Sequence, residues 1–416
     1  MRNPVRRFFS NLGPGLVSGA ADDDPSGIAT YSSAGAAMGT QLLWLALITW
    51  PLMAAVQMMC ARIGMMTGRG LSGAFHHKIP KPLIVIASVA LLIANTINIG
   101  ADLSGMSDAA AMLSGRSSHA FVIFFGAITA IATVQFRYHQ IATILKWLAL
   151  TLLAYVITAF VVKPEWHLVF RDTFVPSLPK RSDGWAMIVA ILGTTISPYL
   201  FYWQASQEVE EEKAAGRRML ARRMGATRAE IGARKIDVGV GTFFSNLVMY
   251  FIILTTALTL HRHGITNIRT SREAAEALRP LAGNFAAVLF TAGVLGVGFL
   301  AIPTLSGSAA YALAETFGWH QGLDAKFKSA RAFYIVVIVS SIAGVVMDFA
   351  NINPVKALFW TAVINGLLAP FLLTAVLLVA LDRRIMHNQP SSPLALVAVG
   401  VTIVAMFAAA IAMFAV

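Results

Sequence analysis

Charged residues are scarce in this chain of 416 residues: they make up 12% of it, against about 25% in ordinary soluble domains. Hydrophobic residues make up 57%. Charge is lacking mainly because long apolar segments occupy most of the sequence. This composition excludes an ordinary soluble domain and predicts an integral membrane protein.

Cysteine and the common hydrolase motifs are also nearly absent. The single cysteine, Cys60, excludes a disulfide within the chain and lies in an apolar segment, where we interpret it as a packing residue. The sequence has neither a His-Glu-x-x-His motif nor a Gly-x-Ser-x-Gly motif. We therefore do not expect an enzyme, and we expect no cofactor.

Acidic residues are fewer than basic ones, which leaves a formal net charge of +12. The excess lies in short segments between apolar stretches, where basic residues set membrane topology, so we expect no nucleic-acid partner. Most of the 32 basic residues fall on one side when the N-terminus is placed inside. This distribution predicts a cytoplasmic N-terminus and, with an odd number of spans, an outside C-terminus in the plasma membrane.

Apolar segments of the length needed to cross a bilayer, about 20 residues, recur along the whole chain. We predict an all-α membrane protein with about eleven transmembrane helices in a single domain, residues 1–416. The predicted spans are 12–36, 41–63, 82–110, 119–136, 140–162, 184–208, 238–260, 283–316, 330–348, 354–380 and 392–415. The longer connections are 163–183, 209–237 and 261–282, and the second of these has the pattern of a solvated cytoplasmic helix.

Three consecutive acids, Asp22, Asp23 and Asp24, interrupt the first apolar segment. A carboxylate at mid-membrane depth costs at least ~2.5–3.5 kcal/mol, so it marks a functional site by default. Pro25 lacks an amide hydrogen and disfavours helical geometry at Asp24, while Gly27 frees the backbone further. The sequence predicts a broken helix here, with unpaired carbonyls and a carboxylate that suit a hard cation.

A second interruption lies five spans later, in the segment Gly193-Thr194-Thr195-Ile196-Ser197-Pro198-Tyr199. Interrupted helices at matching positions in two halves indicate a transporter site at a repeat interface. We therefore predict two inverted repeats of five spans, residues 1–162 and 184–380, followed by an extra helix at 392–415. Both breaks are expected to meet near mid-membrane.

These motifs resemble those of the Nramp family of divalent-metal transporters. Asp24-Pro25-Ser26-Gly27 is similar to the family's Asp-Pro-Gly-Asn motif, and the second break is similar to its Ala-x-x-Met-Pro-His motif. Gly13-Pro14-Gly15 also matches the family's opening. The resemblance covers nearly the whole chain, and it implies a LeuT-type fold with broken helices 1 and 6 and transport of divalent metal ions.

The departures from the family motifs suggest a different ion. The family's asparagine falls on Gly27, its methionine on Ser197 and its histidine on Tyr199, and the acidic pair linked to proton movement falls on Thr96 and Ile99, although Asp102 lies one turn later. Loss of sulfur removes the preference for softer ions, and Mg²⁺ usually keeps several waters when bound. The pattern resembles the Nramp-related magnesium transporter branch and implies Mg²⁺, with Mn²⁺, as substrate, without proton coupling.

The residues expected to meet the ion cluster at the two breaks. Asp24 is the predicted charge ligand, directly or through water, or alternatively a structural acid that caps the break. The resemblance implies carbonyl ligands at Ala21 and Thr194. Gly27 either exposes its carbonyl or only permits the bend. Ser197 and Thr195 either hold waters around the ion or bond to the helix backbone. The expected pathway residues are Asp22, Asp23, Tyr199, Gln204, Glu208 and Asn365.

Several alternatives remain open at this point. A proton-coupled Mn²⁺ or Fe²⁺ importer of the ordinary Nramp type is one, and an amino-acid or organic-cation transporter of the same fold is another, although three aspartates would repel a substrate carboxylate. A channel and a membrane-embedded enzyme belong to other classes. The expected partners are divalent metal ions and the lipid bilayer, and the chain is expected to work as a monomer.

Overall fold

The computed structural model describes residues 18–19, 21–135, 150–350 and 353–416. Every regular element within these ranges is a helix, which confirms the all-α prediction. The Gly13-Pro14-Gly15 motif, the basic N-terminal residues and most of the expected fifth span lie outside the described residues.

Seventeen α-helices, numbered here in chain order, make up the described fold. They are α1 (Pro25–Met38), α2 (Trp44–Thr67), α3 (Leu71–Phe75), α4 (Lys81–Ser114), α5 (Ser118–Gln135), α6 (Leu153–Val161), α7 (Trp166–Phe174), α8 (Ser182–Thr195), α9 (Pro198–Ala214), α10 (Leu220–Arg223), α11 (Arg228–Thr259), α12 (Ser271–Ala275), α13 (Arg279–Ala282), α14 (Ala286–Phe317), α15 (Arg331–Asp348), α16 (Pro354–Leu381) and α17 (Pro393–Ala415). Short 3-10 turns lie at Leu150–Leu152, His261–His263, Glu276–Leu278 and Gly283–Phe285.

Nine helical segments in the described ranges are long and apolar enough to cross a membrane. They are Trp44–Thr67, Lys81–Ser114, Ser118–Gln135, Ser182–Ala214, Arg228–His263, Ser271–Phe317, Arg331–Asp348, Pro354–Leu381 and Pro393–Ala415. Each overlaps one of the eleven predicted spans. The first predicted span is represented by α1 and the short helical piece before it, and the fifth is described only from residue 150.

All three of the longer connections contain helices, of which only the helix in 209–237 was expected. The seventh span begins at Arg228 rather than at 238, and α7, α12 and α13 lie in the other two connections. The early start of α11 has a local cause: the Thr227 side chain accepts from the backbone N–H of Glu230, and the Glu230 carboxylate accepts from the backbone N–H of Thr227. This capping box starts a helix in polar sequence, which an apolarity criterion does not detect.

Small residues bring the helices around the breaks into backbone contact. A Cβ atom at Gly193 of α8 would overlap the backbone of Ala362 and Gly366 in α16. A Cβ atom at Gly35 of α1 would likewise overlap the backbone carbonyl of Ile253 and the hydroxyl of Thr256 in α11. Close approach of this kind is typical of helix packing in membranes. It places α1, α8, α11 and α16 side by side, with the two breaks between them.

Candidate functional site

The first break lies at Asp23 and Asp24, as predicted. Residues 18, 19, 21 and 22 are helical, Asp23 is a bend, and α1 begins at Pro25. Asp24 is the N-cap residue in extended geometry (φ −62°, ψ 171°), and its Oδ1 accepts a hydrogen bond from the backbone N–H of Gly27 at 2.7 Å. The carboxylate therefore satisfies an amide at the free N-terminus of the half-helix.

The second break separates α8 from α9. Ile196 (φ −114°, ψ 60°) and Ser197 (φ −79°, ψ 135°) leave helical geometry, and Pro198 begins α9. The Ser197 hydroxyl lies 2.6 Å from the carbonyl oxygen of Gly193 and 2.7 Å from that of Thr194, and it donates to them. In this conformation Ser197 thus bonds to the helix backbone, the second of the two roles considered for it.

The two breaks contact each other directly. The Tyr199 hydroxyl donates to the carbonyl oxygen of Ala21 at 2.9 Å, and the hydroxyls of Tyr31 and Thr195 lie 3.0 Å apart. The expected carbonyl ligands of Ala21 and Thr194 therefore each accept a hydroxyl here. A carbonyl oxygen has two lone pairs, so each keeps capacity for a second partner.

Ser245 of α11 joins the other two acids of the first break. Its hydroxyl lies 2.6 Å from Oδ2 of Asp22 and 3.4 Å from Oδ1 of Asp23. The second oxygen of each carboxylate, Oδ1 of Asp22 and Oδ2 of Asp23, has no hydrogen-bond partner among the described residues. These oxygens are buried acceptors that a cation or water can satisfy.

Two residues of α4 complete the polar cluster. The Asn98 amide donates to Oδ2 of Asp24 at 3.0 Å. Asp102, one turn further along α4, is fully buried, and no side chain in the described ranges hydrogen-bonds to it. Its carboxylate lies close enough to Asp24 and to the backbone of Ser26 to interact with them. The third span therefore brings an acid to the site, at Asp102 rather than at Thr96 or Ile99.

Polar groups at the breaks are sealed from solvent. Asp22, Asp23, Asp24, Thr194, Thr195 and Ser197 are each at most 1% exposed. Among the described residues, no group of three or more His, Cys, Asp and Glu side chains converges on one point suited to a metal ion. The possible metal-ligand atoms are instead carboxylate, hydroxyl and carbonyl oxygens spread over several residues. Such atoms suit a hard cation that retains water.

The expected pathway residues Gln204 and Glu208 form a chain along α9. The Gln204 Oε1 accepts from the Ser18 hydroxyl at 2.9 Å, and its Nε2 donates to Oε1 of Glu208 at 2.7 Å. Glu208 is in turn 2.7 Å from Nε of Arg234 on α11. This chain of contacts links the first half-helix, α9 and α11 on one side of the breaks.

Arg234 is the centre of an ion-pair network that sequence reasoning missed. Besides Glu208, its guanidinium pairs with Glu211 and with Asp237, the latter at 2.5 Å. Its side chain is only 11% exposed. The network joins the C-terminal part of α9 to the N-terminal part of α11.

Asn365 lies on α16 beside Gly366, the residue that packs against Gly193 of α8. It is 1% exposed, and its Oδ1 has no hydrogen-bond partner among the described residues. A buried amide oxygen without a partner is costly unless water or a ligand meets it. Its place on the helix next to the second break fits a residue that lines the pathway.

Residues 15–416 match the family model described as natural resistance-associated macrophage protein-like, or Nramp. The chain is 24% identical over 405 residues to the divalent metal cation transporter MntH of Caldanaerobacter subterraneus subsp. tengcongensis, covering 94% of this chain and 89% of that protein. It is 28% identical over 319 residues to MntH of Yersinia pestis, covering 74% and 73%.

Solved structures show the same fold. A crystal structure of the Eremococcus coleocola manganese transporter superposes with a TM-score of 0.72 at 14% identity, covering 98% of this chain and 87% of that one. Mhp1, a nucleobase-cation-symport-1 family transporter in a closed conformation, superposes with a TM-score of 0.57 at 14% identity, covering 93% and 80%. These similarities confirm the LeuT-type arrangement. The chain thus belongs to the Nramp family and is a multi-pass membrane transporter, not an enzyme.

Proposed function

We propose that this chain moves Mg²⁺, and with it Mn²⁺, across the plasma membrane by alternating access without coupling to protons, as a member of the Nramp-related magnesium transporter branch. Its N-terminus is cytoplasmic and its C-terminus outside, and residues 1–162 and 184–380 form the two inverted repeats. The relatives named above are described as transporters of divalent metal cations or manganese. The proposal differs from them in the preferred ion.

One observation carries the proposal: the two breaks meet at a buried cluster in which the possible metal-ligand atoms are oxygens. Ser197 occupies the position of the family's methionine, and its hydroxyl faces backbone carbonyls. Two buried carboxylate oxygens, on Asp22 and Asp23, have no donor among the described residues. Oxygen donors with negative charge favour a hard divalent ion over a softer one.

Alternating access is supported by the way both ends of the site are covered. The acids at the first break are at most 1% exposed. On one side, Gln204, Glu208 and Arg234 connect helices that would have to separate for an ion to leave. On the other side, the Nδ1–H of the His261 ring donates to the carbonyl oxygen of Ala36 at 2.7 Å, at the far end of α1.

Two observations favour a second candidate, a proton-coupled Mn²⁺ or Fe²⁺ importer of the ordinary Nramp type. Asp102 supplies a buried third-span carboxylate near Asp24. Met249 places a thioether sulfur 3.4 Å from the Thr195 hydroxyl, so a soft donor lies next to the second break. A buried acid can carry a proton, and sulfur prefers softer transition ions.

Uptake into proteoliposomes that contain both a Mg²⁺ indicator and a pH dye separates the candidates. We expect saturable Mg²⁺ uptake, competition by Mn²⁺, and no acidification of the lumen. Asp24→Asn should abolish uptake, whereas Asp183→Asn, at an exposed position where the carboxylate pairs with Arg181, should retain it. Stoichiometric acidification, or Mn²⁺ uptake without any Mg²⁺ uptake, would establish the second candidate instead.

A further inference from the structure

A groove of about 270 Å³ lies between α2, α11 and α17, and none of the described residues that line it belongs to the two breaks. Its floor is one stripe of α2 that includes Ala55, Met58 and Met59 and ends at Arg62. Its walls are formed by Lys235 and Gly239 of α11 and by the start of α17. The groove therefore has an apolar length and a polar end.

Arg62 at the polar end is held in place but only partly satisfied. Its Nη2 donates to the carbonyl oxygens of Gln389 at 2.8 Å and Pro390 at 3.0 Å, which fixes the guanidinium beside the loop before α17. Its buried Nε has no hydrogen-bond partner among the described residues. A buried cationic donor without an acceptor calls for an anionic or polar ligand.

The beginning of α17 adds further donors to the same end. Ser391 lines the groove, is 4% exposed, and its hydroxyl has no partner within the part of the chain that the structure describes. Ser392 is the N-cap of α17, so the positive end of the helix dipole also faces this region. Two hydroxyls and a helix N-terminus here surround the space next to Arg62.

The charged side chains among the described residues that line the groove, Arg62 and Lys235, are both basic. Lys235 is exposed and forms no ion pair with any described residue, and no acidic side chain is among the described residues that line the groove. Two cationic side chains, unsatisfied donors and a helix N-terminus together favour a phosphate group. Surface lysine alone would not make such a site, but the buried Nε and the buried Ser391 hydroxyl are built into it.

The surroundings of the groove indicate what carries the phosphate. Ile236 and Leu394, neighbours of the lining residues, are 47% and 79% exposed, as expected of side chains that face lipid. The groove lies at the end of the bundle that we propose to be cytoplasmic, where anionic lipids attract basic pockets between helices. We propose that it binds one anionic phospholipid, with the phosphate between Arg62, Lys235 and the start of α17 and an acyl chain along α2.

Two variants test this lipid site without removing the hydrogen bonds of Arg62. Lys235→Ala removes one cation, and it should weaken binding of phosphatidylglycerol about fivefold. Gly239→Phe should block binding, because a Cβ at Gly239 meets no atom within 4 Å and the ring can enter the groove. The matched controls are Lys328→Ala, in an exposed loop, and Gly400→Phe, where a Cβ also meets nothing within 4 Å.

Native mass spectrometry of the purified full chain, titrated with phosphatidylglycerol, phosphatidylcholine or inorganic phosphate, gives the readout. We expect one phosphatidylglycerol bound in preference to phosphatidylcholine, reduced in both variants and unchanged in both controls. Equal retention of the two lipids, or wild-type binding in Lys235→Ala and Gly239→Phe, would overturn the proposal. Full competition by inorganic phosphate would reassign the groove to a free anion. If Gly239→Phe does not fold, Lys235→Ala against Lys328→Ala decides.

Discussion

The side-chain amide of Asn98 reaches across from α4 and donates a hydrogen bond to Oδ2 of Asp24 at 3.0 Å. The other oxygen of Asp24 accepts from the backbone N–H of Gly27 at 2.7 Å. Both oxygens of this buried carboxylate are thus oriented by donors from two different helices. This geometry fixes the direction in which the carboxylate can face an ion, and it makes Asn98 a positioning residue.

Asn98→Ala is expected to raise the KM for Mg²⁺ uptake about tenfold, because a hydrogen bond to a charged group contributes about 1.5–3 kcal/mol. The concentration dependence of uptake in proteoliposomes measures this change. Asn95→Ala is the matched control, since Asn95 lies on the same helix but bonds to Leu305 and Ser308 instead. An unchanged KM in Asn98→Ala would show that Asp24 is held without it.

Ser245→Ala should lower the free energy of unfolding by about 1–3 kcal/mol, because it leaves the carboxylates of Asp22 and Asp23 without their common donor. Thermal melting in detergent measures the loss. Ser340→Ala is the comparison: Ser340 is equally buried, but its hydroxyl has no hydrogen-bond partner among the described residues. Equal shifts in the two variants would contradict the assignment.

Gly193→Ala should destabilise the contact between α8 and α16, because the added Cβ would overlap the backbone of Ala362. Overpacking of this kind costs about 1–3 kcal/mol, and here it also displaces the helix that ends at the second break. Both the melting temperature and the uptake rate should fall. Gly400→Ala is the control and should change neither, because a Cβ at this position meets no atom within 4 Å. Wild-type stability and uptake rate in Gly193→Ala would refute the close contact.

Arg234→Gln should lower the free energy of unfolding by about 3 kcal/mol or more, because it removes the partner shared by three acids, Glu208, Glu211 and Asp237. The side chain is 11% exposed, so water compensates only partly. Thermal melting measures the loss of stability in Arg234→Gln. Arg218→Gln, at an exposed position, is the control. A loss no larger than that of Arg218→Gln would mean that the network adds nothing to stability.

The helix breaks were predictable from the sequence because their causes are local. Asp24 followed by Pro25, and Ser197 followed by Pro198, each place an extended residue before a helix that begins with proline. Apolar length alone identified the spans. It did not find the start of α11, because the capping interaction between Thr227 and Glu230 depends on polar residues.

The partners of the acids were harder to predict because they are distant in the chain. Ser245 is 223 residues from Asp22, and Asn98 is 74 residues from Asp24. No local pattern joins such pairs, and the only available signal was a polar side chain within an apolar span. Arg234 was missed for a different reason. It lies in the 209–237 connection, where a solvated helix was expected, so a buried arginine was not.

The cap on α1 has one more consequence. Oδ1 of Asp24 accepts from the backbone N–H of Gly27. A carboxylate oxygen has lone pairs for more than one partner, so an ion can meet this carboxylate while the amide stays bonded. The first turn of α1 therefore does not have to unwind when the carboxylate gains a second partner.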